Sequence, residues 1–313
     1  MQYLGTNLRA HLVDRVKDDD LRGLLYEIAA CARYINLAIK DAQRGFAGST
    51  NAYGEQQLAL DVLADTILKD RFRQTRLVRE FASEEGEDIV TYAHLEGRFS
   101  VTVDPLDGSS LVDTNLSIGT IIGIHDTTDI TQPQTLVAAM YVLYGPLTTM
   151  VYAAQDSGVH EFVLNPAGEY IVSRNDIRLR ERGTIYAPGG TEKDWTPGHA
   201  AFIQYLREEG YKLRYSGGMV GDLNQILAKG GGIFCYPGTT KDPEGKLRLL
   251  FENQPMAYIF EQAGGKASTG CQRILELPLN TVDQRSPIYI GSRYEVEAAQ
   301  TYLRERSAEG SSA

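Results

Sequence analysis

Five residues of strand character, Phe99-Ser100-Val101-Thr102-Val103, run without a break into Asp104-Pro105-Leu106-Asp107-Gly108-Ser109-Ser110. Alternating apolar and β-branched residues specify a strand. Proline has no amide for a sheet ladder and restricts the residue before it, so the strand is expected to end where Asp104 begins. Asp104 and Asp107, three apart, then converge at a strand-to-turn corner. Gly108 lacks a Cβ, so the backbone N–H groups after it can approach an anion, and a helix starting at Ser109 would add its positive end. Acid for hard cations beside amides for an anion suits a phosphate held through Mg²⁺. Asp-Pro and Asp-Gly are also common turn formers and Ser-Ser caps helices, so this stretch alone fits a plain turn as well.

Other acids change that balance. Phe81-Ala-Ser-Glu84-Glu85 puts two glutamates at the end of another short apolar run, Glu55 opens a helical pattern with Asp61 six residues on, and Lys246, Arg248 and Glu252 share one segment. Each signal alone reads as a solvated loop or helix face. Together they supply acids for metal and two cations for phosphate, which is the equipment of a metal-dependent phosphatase.

The chain has 313 residues, 42% of them apolar, enough for one large domain or two lobes. Its net charge of −10 and lack of a basic stripe argue against a nucleic-acid partner. No run of about 18 apolar residues is present, so no membrane span is expected, and the N-terminal stretch has no apolar core of a signal peptide, so the cytoplasm is the expected home. Cys31, Cys235 and Cys271 lie too far apart in sequence to suggest zinc or a dithiol switch.

The spacing of Leu24, Leu25, Ile28, Ala32, Ile35 and Ala38 predicts an amphipathic helix with Asp18 to Asp20 at its start, and a second helix is expected over 55–69 with Leu60, Leu63 and Ile67 inward. Strand-like runs follow at 118–124, 136–144, 149–154 and 160–164, the segment 165–183 reads as a connection, and helices at about 195–209, 219–229, 254–263 and 293–305 alternate with runs at 231–236 and 286–292. The alternation predicts an α/β chain of two sheet-and-helix lobes, 1–182 and 183–313.

The set "DPLDGSS", the upstream "SEE", "GGM" at 217–219 and "GKLRLLFE" at 245–252 resembles the class I fructose-1,6-bisphosphatase and sedoheptulose-1,7-bisphosphatase family from about Leu21 to Leu303. "LVDTN" (111–115), "YGPLTT" (144–149), "HEF" (160–162) and "RYSGGMVGDLNQI" (214–226) lean to the sedoheptulose branch, whereas "FCYPGTTKDPEGK" (234–246) leans to the fructose branch. The resemblance implies the sugar-phosphatase fold, a layered α-β-α-β-α sandwich, assembled as a homodimer or homotetramer. It implies Mg²⁺-dependent hydrolysis of the 1-phosphate of fructose 1,6-bisphosphate and/or sedoheptulose 1,7-bisphosphate, with two or three Mg²⁺ per subunit that Mn²⁺ replaces, and a place in gluconeogenesis or the Calvin cycle.

By the same resemblance Glu84, Asp104, Asp107 and Glu252, with the Leu106 carbonyl, are metal ligands; Glu55 stands where the fructose enzymes place an aspartate for a further metal. Asp61 and Glu85 match the carboxylates that take the proton from the attacking water. Gly108, Ser109, Ser110 and Arg248 match the 1-phosphate cradle, Tyr215, Tyr236 and Lys246 the grip on the far phosphate and sugar, and Arg214 an arginine that crosses a subunit interface. Gly189, Gly190, Gly217 and Gly218 suggest a roomy wall on the far-phosphate side. The alternatives are a catalytically silent phosphosugar sensor and an inositol-phosphatase-like enzyme of broader specificity. AMP-inhibited fructose enzymes carry Gly-Glu-Leu-Thr in the first helix region, where this chain has Asp19-Asp20-Leu21-Arg22. Plant sedoheptulose enzymes carry a redox cysteine pair where this chain has the cysteine-free 45–54.

Overall fold

The computed structural model describes residues 5–45, 53–93, 96–132 and 134–310, the side chains of 42–45, 53–59 and 305–310 excepted. Three helices lead the chain: α1 (Leu8–Arg15), α2 (Asp19–Gly45) and α3 (Tyr53–Thr75). They are followed by β1 (Val78–Ser83), β2 (Val90–Thr91), β3 (Phe99–Asp107), β4 (Ile118–His125), β5 (Leu136–Tyr144), β6 (Thr148–Ala154), β7 (Gly158–Leu164) and β8 (Tyr170–Arg174). These strands form one sheet in the order β2-β1-β3-β4-β5-β6-β7-β8, parallel only at β1 and β3. The rest of the chain supplies β9 (Ile185–Pro188), α4 (Pro197–Glu208), β10 (Lys212–Leu213), α5 (Met219–Lys229), β11 (Ile233–Tyr236), α6 (Gln254–Gln262), β12 (Lys266–Ser268), β13 (Ile288–Gly291) and α7 (Arg293–Gly310). Its sheet runs β10-β9-β11-β13-β12.

The apolar pattern explains the layering. Leu24, Leu25, Ile28 and Ile35 of α2 and Leu68 and Phe72 of α3 pack on one face of the first sheet, against Val101, Val103, Ile122 and Met140. The opposite face, Ile121, Ala139, Tyr141 and Val151, meets Val220 and Leu223 of α5 and Met256, Ile259 and Phe260 of α6. Those helices also cover Phe234, Ile288 and Ile290 of the second sheet, whose far side packs Ile233, Cys235 and Tyr289 against Phe202, Leu206, Val296 and Ala299 of α4 and α7. The result is the expected α-β-α-β-α sandwich, built because both sheets are apolar on both faces. Arginines of the connecting segment fasten it to the middle layer, Arg180 donating to the Lys229 carbonyl at the end of α5 (2.8 Å). No described helix is long and apolar enough to cross a membrane.

Several local expectations are corrected. β3 does not stop at Asp104 but runs to Asp107. Asp104 pairs with Ile121 and Asp107 with Gly119, so β3 gains one residue on β4 and bulges at Pro105. The missing proline amide is harmless in the bulge, and the Thr120 hydroxyl donates to the Pro105 carbonyl (2.8 Å). The helix after Gly108 is only a 3-10 turn, Ser109–Thr114. The connection 165–183 contains β8, which closes the sheet edge. In α3 the inward residues are Leu60, Ala64, Leu68 and Phe72 together with Asp61, while Leu63 is exposed.

Candidate active site

The β3 bulge fixes the two aspartates differently. Asp104 Oδ1 accepts from the Leu106 amide (3.0 Å), closing the corner on itself. Asp107 lies under the start of α5: its Oδ1 accepts from the Met219 amide (3.2 Å) and its Oδ2 from the Val220 amide (2.7 Å), the free donors of a helix N-terminus. The close approach of α5 to β4 needs Gly119, because a Cβ there would stand 2.5 Å from Val220 Cβ. Gly108 sits at φ +73° beside Gly218, so bare backbone closes the corner.

Glu252 comes from a π-helical turn, Leu249–Asn253, ahead of α6. Its Oε2 accepts from the Arg248 amide (2.6 Å). One ligand oxygen each of Asp104, Asp107 and Glu252 lies within 4.8 Å of the others, and all three residues are buried. Glu84 follows β1, its amide donating to the Val103 carbonyl (2.9 Å), but its Oε1 accepts from Arg248 Nε (2.9 Å). Arg248 also reaches Asp283 through Nη1 (2.7 Å).

Such a cluster resists ionisation. Burial first, then the charge of Glu84, hold the Asp104 and Glu252 carboxyls well above the ordinary range. Asp107 is pushed up to about 6, burial outweighing its two amide donors. An all-oxygen, anionic, buried donor set fits a hard divalent cation, which would supply the missing charge.

Asp61 is buried on α3 and hydrogen-bonds the Ser109 side chain; burial first and Glu85 second push it up to about 7. Glu85 is raised by desolvation, Glu84 and Asp65. Tyr215 is pushed up to about 12 by burial and then by Tyr236, Asp222 and Asp107. The structure therefore gathers Glu84, Glu85, Asp61, Asp104, Asp107, Glu252, Ser109 and Arg248, with Leu106 in the bulge; Tyr215 feels the charge of Tyr236 and Asp107, and Tyr236 rests on Gly189. Ser110 and Lys246 are exposed and have no side-chain partner among the described contacts. Among the described residues the exposed Arg214 side chain donates only to the Leu213 carbonyl (3.2 Å). The Glu55 side chain lies outside the described residues.

The glycines of the expected roomy wall do something else. A Cβ on Gly189 would lie 2.4 Å from Tyr236 Cδ2, so the ring rests on bare backbone, and Gly217 is at φ +100°. Sequence reasoning also passed over Asp222, Asp283, and the Met219 and Val220 amides. The "GGM" and "RYSGGMVGDLNQI" motifs carried those residues without revealing their contact with Asp107.

Family models described as "Fructose-1-6-bisphosphatase, N-terminal domain" and "Fructose-1-6-bisphosphatase, C-terminal domain" match residues 9–175 and 179–304. The chain belongs to the fructose-1,6-bisphosphatase family. The class 1 fructose-1,6-bisphosphatase of Trichlorobacter lovleyi is 50% identical over 301 residues, 95% of each chain. That of Syntrophotalea carbinolica is 50% identical over 96% of this chain and 94% of its own. Among solved structures, holo Leishmania major fructose-1,6-bisphosphatase superposes with a TM-score of 0.87 at 33% identity, covering 96% of this chain and 99% of that one. As in other family members, then, a phosphatase site is the frame in which these carboxylates are read.

Proposed function

We propose that this chain hydrolyses the 1-phosphate of fructose 1,6-bisphosphate to give fructose 6-phosphate and inorganic phosphate. The observation that carries the reading is the buried triad Asp104, Asp107 and Glu252, converging within 4.8 Å beside the Gly108 corner and Arg248. A silent sensor would not need Asp61 and Glu85 as well, and the charge of Glu85 bears on Asp61, which supports the reading of a working pair.

Asp104, Asp107, Glu252 and Glu84, with the Leu106 carbonyl, are the residues that would hold Mg²⁺ or Mn²⁺, two or three ions per subunit, Glu55 adding a ligand. The cations, when bound, neutralise phosphate oxygens and acidify water. Gly108, Ser109, Ser110 and Arg248 hold the 1-phosphate, the serines as hydrogen-bond donors rather than nucleophiles. Asp61, held by Ser109 and raised toward neutrality, takes a proton from the attacking water together with Glu85. Water oxygen bonds to phosphorus, the bond from phosphorus to the ester oxygen breaks, and that oxygen leaves with a proton as the C1 hydroxyl.

Residues 1–182 supply most of the metal and 1-phosphate groups, and residues 183–313 add Glu252 and Arg248 to them and contribute Tyr215, Tyr236 and Lys246 to the sugar and far phosphate. Arg214 is exposed, which suits a contact to the neighbouring subunit of a dimer or tetramer. The fructose activity places the chain in gluconeogenesis. Sedoheptulose 1,7-bisphosphate has the same 1-phosphate end and is proposed as a second, slower substrate; a Calvin-cycle role rests on that activity.

Turnover in H₂¹⁸O tests the chemistry. Attack at phosphorus puts one solvent oxygen into inorganic phosphate and none into the sugar. Label in the C1 hydroxyl, or phosphate lost from C6, contradicts the reading.

A further inference from the structure

The first turn of α5 holds two things at once. Its Met219 and Val220 amides bind Asp107, and one turn on, Asp222 bends back so that its Oδ1 accepts from the Ser216 amide (2.8 Å). Asp222 is 1% exposed; the Ser216 hydroxyl and the Gly217 amide also lie near its carboxylate, yet its Oδ2 is buried with no well-aligned hydrogen bond among the described residues. It does not belong to the converging triad. A buried carboxylate with one unmatched oxygen is costly to the fold, and an apolar residue would pack α5 more cheaply.

What the carboxylate secures is the segment just before the helix. The Arg214 amide donates to the Tyr186 carbonyl at the sheet end (2.8 Å), and the Ser216 amide is held by Asp222. Tyr215 is thus bracketed by backbone hydrogen bonds on both sides. The Ser216 hydroxyl accepts from the Gly218 amide (3.4 Å), and Gly217 at φ +100° completes the turn. Without Asp222 the bracket has one arm, and the exposed Tyr215 ring loses its fixed direction.

We propose that Asp222 is a positioning residue: through the Ser216 amide it sets the Arg214–Gly218 turn and aims Tyr215 at the sugar's far phosphate, without touching substrate itself. This rests on the reading of Tyr215 as a far-phosphate contact. It also implies that α5 ties the metal corner and the sugar turn to one helix start, the first through its amides and the second through its side chain.

Binding of fructose 6-phosphate, which carries the far phosphate, is measured by calorimetry against binding of inorganic phosphate, both in saturating Mg²⁺. Asp222→Ala is expected to weaken fructose 6-phosphate by about tenfold, the scale of one lost hydrogen bond to a charged group, and to leave inorganic phosphate unchanged. In turnover the same variant raises KM and spares kcat. Asp222→Asn, which keeps an acceptor at that place, restores most of the affinity. Should the Ala variant melt below assay temperature, Asp222→Glu, with its acceptor displaced, carries the same expectation. Unchanged fructose 6-phosphate affinity in a folded Ala or Glu variant overturns the proposal, as does equal loss for both ligands. Tyr215→Phe separates the underlying reading: if it leaves fructose 6-phosphate binding intact, the far-phosphate role of Tyr215 fails whatever Asp222 does, and with it the aim assigned to the turn.

Discussion

Arg248 Nε lies 2.9 Å from Glu84 Oε1, so the arginine just before the π-helical turn is ion-paired with the acid that follows β1, 164 residues earlier in the chain. The same side chain spans to Asp283, and its amide holds Glu252. Arg248 is therefore counter-charge to the acids, and under the proposed function it is also a donor to the 1-phosphate. Arg248→Met is expected to lower kcat/KM for fructose 1,6-bisphosphate by about 10–150-fold, the loss of one charge-assisted contact of about 1.5–3 kcal/mol. Steady-state kinetics at saturating Mg²⁺ checks this; an unchanged kcat/KM removes Arg248 from the cradle.

The buried acids make the metal-free protein sensitive to alkali. Their folded values lie above the unfolded value of about 4, so the fold binds extra protons in between. The stability this confers is complete below about pH 4 and is lost as pH rises through about 6 for Asp107 and about 7 for Asp61, with Asp104 and Glu252 acting in the same direction. His11, His125 and His199, lowered chiefly by burial, act in the opposite sense below pH ~6.5, so the comparison belongs above it. In chelator, Tm is expected to fall by roughly 5 °C between about pH 6.5 and 8, and Mg²⁺ to raise Tm more at the upper pH. A Tm that is flat, or a Mg²⁺ effect that shrinks with pH, contradicts the reading of the triad.

The start of α2 shows how far sequence could go. Asp18 Oδ1 caps the Leu21 amide (2.9 Å), as an acid at a helix start should. What could not be read was Arg98, 80 residues away, clamped between Asp18 (2.5 Å) and Asp126 (2.5 Å). The amide and the cation that a phosphate would want here already have carboxylate partners. AMP at millimolar concentration is therefore expected not to inhibit. Reductants should be equally without effect: burial pushes Cys31 up to about 12 and Cys235 well above its ordinary range, while Cys271 is alone at the surface. Inhibition by micromolar AMP, or activation by a dithiol that oxidation reverses, contradicts this.

The same contrast runs through the rest of the chain. Local pattern was enough for α2, the central strands and the acid-bearing corners, because period and turn chemistry act over a few residues. It failed where a distant partner decides. Asp61 breaks the apolar face of α3 because Ser109 and the acids wait for it in the core. Pro105 stays inside β3 because Thr120 of the neighbouring strand takes its carbonyl. The glycines 189, 217 and 218 read as space, yet their surroundings show ring-on-backbone contact and a left-handed turn.

That correction bears on substrate length. Tyr236 lies against Gly189, so at that glycine a ring occupies the space a roomy wall would have left. Sedoheptulose 1,7-bisphosphate is expected to be hydrolysed with kcat/KM about 10–200-fold below that for fructose 1,6-bisphosphate. Gly189→Ala should raise KM for both by pushing the ring away. Parity between the sugars, or no turnover of the longer one, contradicts the shared-end argument.

The central claim, that buried carboxylates gather divalent cations to hydrolyse the 1-phosphate, is tested most directly by one titration. Protein stripped with excess chelator is mixed with fructose 1,6-bisphosphate, and inorganic phosphate is followed as Mg²⁺ is added back, alongside folded Asp104→Asn. The account predicts no release without cation, saturable recovery with Mg²⁺ or Mn²⁺, and none for Asp104→Asn at any Mg²⁺ concentration. Full release in excess chelator, or wild-type turnover by Asp104→Asn, would contradict it.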